Sequence, residues 1–145
     1  MDTDLRRAAV AALRELARSD DFRDRADAGQ GLAGFAGMRE AVEPLLGLVL
    51  DPDDTFVTRR TAEGLLRRLD KAGLAIVASA LAVADDDHAD WIRTAVVDVF
   101  SACPDDLDEA LRLCAELSGD ADDHVARGAR RLHCGLAEIA GPSRS

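Results

Sequence analysis

The residues of this chain that could do chemistry are its histidines, its cysteines, its acidic clusters and a set of arginines in phase. His88, His124 and His133 join Cys103, Cys114 and Cys134 as the nitrogen and sulfur ligands present. A zinc site needs three or four such groups converging. No Cys-x-x-Cys pair and no histidine pair at helical spacing occurs, and although His133 and Cys134 adjoin, helical neighbours point about 100° apart. All three thiols fall at apolar-periodic positions, which predicts buried, reduced side chains rather than a Cys–His nucleophile. The stretch from Gly29 to Gly37 has neither a preceding strand nor a Lys-Ser/Thr ending, so it is no phosphate loop. It reads instead as a mobile connection or a close helix contact. No catalytic, cofactor-binding or metal-binding residue is assigned, and no cofactor is expected.

What remains is charge. The 145 residues carry 28 acidic against 18 basic side chains, a net charge of −10, and every basic residue except Lys71 is an arginine. Abundant Arg, Ala and Asp match the codon bias of a high-GC bacterium. A net negative field repels nucleic acid, and four Phe, one Trp and no Tyr leave little to stack on bases. A charged partner would therefore be basic. Three acidic turns recur: Asp51-Pro52-Asp53-Asp54, Asp85-Asp86-Asp87 and Asp120-Ala121-Asp122-Asp123. Each supplies Asp to cap a helix, and the alternating Asp and central Gly of a calcium loop are missing. Arg23, Arg59, Arg93 and Arg127 follow in phase, at intervals of 36, 34 and 34 residues. They are expected to pair with Asp of neighbouring turns and fix the register between repeats. Stacked repeats would align the Asp turns as an acidic ridge. Arg59, Arg60, Arg67 and Arg68 make one unit locally basic, with Glu63 four residues before Arg67. Trp91 reads either as an exposed anchor or as packing on the preceding turn.

A period near 34 residues must come from a repeated supersecondary unit. Ile92, Ala95, Val96, Val99, Phe100 and Cys103 follow steps of three and four, the stripe of an amphipathic helix. Pro104-Asp105-Asp106 stops it, and Leu107, Ala110, Leu111, Cys114 and Leu117 begin a second. Other units repeat the pair, while Leu5, Ala8, Ala9, Ala12, Leu13 and Leu16 form a separate N-terminal helix. No strand alternation competes, so the fold is all-α. One domain is expected over residues 1–140, with a cap at 2–18 and units near 20–50, 51–84, 85–119 and 120–140. A disordered tail is expected at 141–145. Asp, Arg or Glu interrupts every long apolar run, and the acidic N-terminus lacks a secretory pattern, so no membrane is involved and the cytoplasm is expected.

At these residues the chain resembles HEAT-repeat proteins and, more loosely, their armadillo relatives. An Asp-rich turn, an Arg step with Ala in the following turn, and a Leu-rich second helix carry the resemblance. Asp85 to Leu117 matches best and Asp51 to Val83 nearly as well. The resemblance implies a right-handed α-solenoid of about 3.5 helix pairs plus the N-terminal capping helix, with second helices lining a concave face. It implies binding rather than catalysis. Polar residues on those helices, Arg39, Glu43, Ser79, Asp108, Arg112 and Glu116, are then the candidates for contacting a partner. The function expected is a protein-interaction scaffold, either an immunity or antitoxin-type protein or a regulatory adaptor. The alternative is an enzyme resembling bilin lyases or DNA-alkylation glycosylases, which also use such repeats. The last unit lacks a second helix, so bare apolar surface at the C-terminal end could make the chain a weak dimer rather than a monomer.

Overall fold

A computed structural model describes residues 2–141. The tail expected at 141–145 falls, beyond Gly141, outside the described residues. Eight α-helices make up the chain: α1 (Thr3–Leu16), α2 (Phe22–Ala33), α3 (Arg39–Val49), α4 (Thr55–Arg67), α5 (Lys71–Val83), α6 (Asp86–Ala102), α7 (Leu107–Leu117) and α8 (Asp123–Ala140). A single 3-10 turn, Pro104–Asp106, precedes α7, and there is no strand among the described residues.

Aspartate marks the helix starts for a physical reason. The first backbone N–H groups of a helix have no internal acceptor, and a short carboxylate one step upstream supplies it. Asp2, Asp21, Asp54, Asp70, Asp85 and Asp122 each accept such a bond, at 2.8–2.9 Å for all but Asp2. In the three acidic turns one Asp, at 54, 85 and 122, does this. Pro44 lies inside α3 and deprives the Glu40 carbonyl of its usual helical donor.

Burial recurs with the period seen in the sequence. Arg25, Thr58, Ile92 and Val125 are buried at equivalent places of α2, α4, α6 and α8. So are Ala28, Thr61, Ala95 and Gly128, then Gly29, Ala62, Val96 and Ala129, and then Leu32, Leu65, Val99 and Leu132. These steps of three and four put one stripe of each helix in the core. Removing each large apolar side chain from water contributes about 1.5–3 kcal/mol.

Helices α2, α4 and α6 lie side by side, with α1, α3 and α5 behind them. The fourth unit does not simply extend that row. Helix α8 packs chiefly on α5 and α7, and less on α6. A Cβ on Gly128 would stand 1.6 Å from the Ala78 carbonyl oxygen, so only glycine permits this approach. Arg131 closes the crossing by donating to the Leu81 carbonyl at 2.6 Å, in the last turn of α5. As a result α5 has no exposed side chain from Ala72 to Ala82. The large apolar side chains that do face solvent are Leu5, Phe22, Phe56, Val83 and Val97. Among the described residues, none of these belongs to α8.

Candidate interaction surfaces

The turns are joined by a chain of polar contacts, but not through the arginines expected from sequence. Arg23 pairs with no carboxylate; its guanidinium lies 5.5 Å from the centre of the Phe22 ring. Arg93 and Arg127 pair within their own helices, with Asp90 at 3.2 Å and Asp123 at 2.8 Å. Arg59 reaches Glu63 of its own helix at 3.9 Å and stacks over Trp91 of α6 at 5.9 Å. The register pair is Arg25 with Asp51, two residues along from Arg23. Nε and Nη2 of Arg25 donate to the two carboxylate oxygens at 2.9 and 3.2 Å, and Nη1 donates to the carbonyls of Ser19 and Asp20. Both side chains are buried. The Asp51 bond holds the Arg25 guanidinium more firmly protonated, against the opposing cost of burial. A buried cation needs such a partner.

His88 extends the chain to the third turn. Its Nε2 lies 2.8 Å from the Asp51 carbonyl oxygen and its Nδ1 2.8 Å from Asp85 Oδ1. Both neighbours are acceptors, so only the doubly protonated ring satisfies both. The Asp51 carbonyl, with Asp85 and Asp87 behind it, raises the His88 pKa against the burial that lowers it. Sequence offered a signal for Arg25 that the Arg23 alignment missed. Arg25 stands on the core stripe with Ala28, Gly29 and Leu32, where a charge demands a buried counter-ion.

The candidate partner-contacting residues fall into separate groups. Arg112 bridges Glu109 and Glu116, the latter at 2.9 Å, and Glu116 also meets Lys71 of α5 at 3.5 Å. Asp108 is exposed on the same helix. Arg39 and Glu43 are exposed on α3 at the other end of the molecule, and Ser79 is half-buried on α5. No hydrogen bond or ion pair joins Arg39, Glu43 or Ser79 to Arg112 or Glu116. Glu43 instead lines a groove of about 580 Å³ between α1 and α3, together with Arg14, Glu15, Arg18, Gly47 and Leu48.

Charge is spread unevenly over the fold. Residues 85–122 hold twelve acidic side chains and only two basic ones, Arg93 and Arg112. That segment alone accounts for the whole net charge of −10, and the rest of the chain is balanced. Asp86, Asp98, Asp105 and Asp106 are exposed there with no counter-ion among the described residues. A second surface is aromatic. Phe22 and Phe56 meet edge to face across α2 and α4, with ring centres 6.0 Å apart.

The thiols correct a further expectation. Cys114 is buried, and burial pushes its pKa up to about 12, which keeps it an unreactive thiol. Cys103 and Cys134 are exposed instead. Cys103 caps the end of α6, where the chain leaves the helix, and Cys134 lies off the buried stripe of α8. Among the described residues no three of His, Cys, Asp and Glu converge as a metal site would require, and no helix is long and apolar enough to cross a membrane. Compared with models of protein families, with curated proteins and with solved structures, the chain matches none.

Proposed function

We propose that this chain is a non-catalytic protein-interaction module of the HEAT-like solenoid kind, docking a basic partner on the acidic surface of α6, α7 and their turns. The observation that carries this reading is the confinement of the entire net charge to residues 85–122. A single-sign surface of this kind steers an oppositely charged protein into contact and sets which partner is accepted. The ion-paired row Glu109, Arg112, Glu116 and Lys71 orders one part of that surface, and the unpaired Asp98, Asp105 and Asp106 leave charge available. The repeated burial pattern of α2, α4, α6 and α8, with α1 set before them, supports the solenoid reading. Proteins of the immunity or antitoxin type and regulatory adaptors both work by this kind of occlusion or bridging.

The test is retention of a basic protein by the immobilised chain, with release as salt rises. The variant Asp98→Asn/Asp105→Asn/Asp106→Asn should lose most of that retention. Equal retention by wild type and variant would remove the acidic surface from consideration.

A further inference from the structure

The outer faces of α2 and α4 carry a patch of opposite character. The chain has five aromatic residues in all, and three of them, Phe22, Phe56 and Trp91, stand near the starts of α2, α4 and α6. Phe22 and Phe56 are 36% and 38% exposed, although both are large apolar rings with a core nearby. Each aromatic side chain has a guanidinium over it: Arg23 on Phe22 at 5.5 Å, Arg60 on Phe56 at 5.8 Å and Arg59 on Trp91 at 5.9 Å. These arginines are poorly neutralised. Among the described residues Arg23 has no carboxylate partner and Arg60 is held only by the neutral Gln30, while Arg59 and Arg67 share Glu63 at 3.9 and 3.6 Å. Among the described residues, Glu63 is the one carboxylate ion-paired with these four guanidinium groups, and the other carboxylates nearby stand at the helix starts.

We propose that this aromatic–arginine patch is a second docking surface, for an acidic peptide segment of another protein that carries an aromatic or aliphatic anchor. Arg and aromatic side chains dominate interface energetics because they combine large contact area with directed hydrogen bonding. A guanidinium stacked on a ring keeps its N–H edge for a carboxylate, which gives the patch a preference for Asp or Glu over Lys or Arg. The exposed Phe rings offer the apolar contact that an anchor side chain would cover. A single-stranded nucleic acid also stacks on rings and pairs with arginine. However, Asp20, Asp21, Asp53 and Asp54 flank the patch at the starts of α2 and α4, and an unbroken phosphate chain cannot avoid them. A peptide can space its carboxylates. The surface is centred on α2 and α4, with Trp91 alone contributed by α6, and it uses none of the acidic residues proposed above, so it stands independently of that reading.

Trp91 is the only tryptophan, so its emission reports on this patch in the full-length chain. The probes are a Trp-free peptide alternating Glu with Phe, its Lys-for-Glu counterpart, and oligothymidylate. The acidic peptide should change Trp91 emission saturably, and Arg23→Glu/Arg60→Glu should weaken its Kd by about tenfold or more. Phe56→Ala should weaken it as well, with circular dichroism unchanged in each variant. The Asp98→Asn/Asp105→Asn/Asp106→Asn variant should bind it as wild type does, which separates the two surfaces. The proposal is overturned if the acidic peptide does not bind, or if charge reversal leaves its affinity unchanged. Tighter binding of the Lys peptide or of oligothymidylate overturns it too, as does sedimentation showing that a second copy occupies the patch.

Discussion

Two close helix contacts in this molecule look alike in sequence and differ in what limits them. Where α2 meets α4, a Cβ on Gly29 would stand 2.0 Å from Thr61 Oγ1. Where α8 crosses α5, a Cβ on Gly128 would meet the Ala78 carbonyl oxygen and carbon. The first obstacle is a side chain, Thr61, whose Oγ1 can turn about χ1 while its Cβ, 3.0 Å away, has to shift by a few tenths of an ångström. The second is the backbone of α5, which no side-chain rotation can move. One contact is adjustable and the other is not, so the regular row of helices tolerates change better than the crossing that closes it.

The largest effect expected from this difference is at the crossing. Gly128→Ala should destabilise the fold by about 4 kcal/mol or abolish it, because room for the methyl is made only by moving α8 off α5 and opening the packing between them. Asp51→Ala comes next. It strands the Arg25 charge in the interior, costs about 3 kcal/mol in urea denaturation, and tests how far the row depends on one buried pair. Gly29→Ala should cost about 2 kcal/mol, since Thr61 Oγ1 can rotate and Ala favours the helix, while the Thr61 Cβ must still give way. A Gly29→Ala loss equal to that of Gly128→Ala would erase the distinction between the two contacts.

Smaller still is the effect of His88, and it depends on pH. Its folded pKa is raised, so its contribution is fully present below its ordinary value near 6.5 and is lost as pH rises through the folded value. Asp85 is shifted down, chiefly by the His88 backbone N–H, so its own contribution fades only as the solution becomes strongly acidic. The difference in denaturation midpoint between wild type and His88→Ala should therefore be larger near pH 5.5 than near pH 8.5. A difference independent of pH would mean that the ring is neutral in the fold. Arg112→Ala should be the smallest, leaving the denaturation midpoint almost unchanged, because its ion pairs are exposed.

Much of this arrangement is legible from residues alone. The Asp caps and the steps of three and four define the helices, since both are local properties of the chain. The partner-contacting candidates were legible only as polar positions on particular helices. Arg112 and Glu116 do come together, whereas Arg39, Glu43 and Ser79 lie apart from them. That α8 folds back on α5 was not legible from Gly128, which reads as an ordinary helix weakness. A hint stood in α5 itself, where Ser79 is the one polar side chain after Lys71. Such a helix has to be covered by more than its immediate neighbours. The register pair was missed because the alignment followed arginine to arginine. The informative comparison was one arginine against the apolar residues of its own column.

The crossing of α8 over α5 also fixes the order in which this chain can acquire structure. In a simple repeat stack each unit contacts only the next, so folding can begin anywhere and spread along the chain. Here the Arg131 to Leu81 bond closes an interval of 50 residues. The face of α5 that α8 covers stays open until α8 has been synthesised and docked. Loop closure over that distance must precede the contacts that reward it, which slows the last step and exposes an apolar helix to aggregation meanwhile. Residues 71–140 should therefore unfold together as one cooperative unit. A chain cut after α7 should lose α5 along with α8.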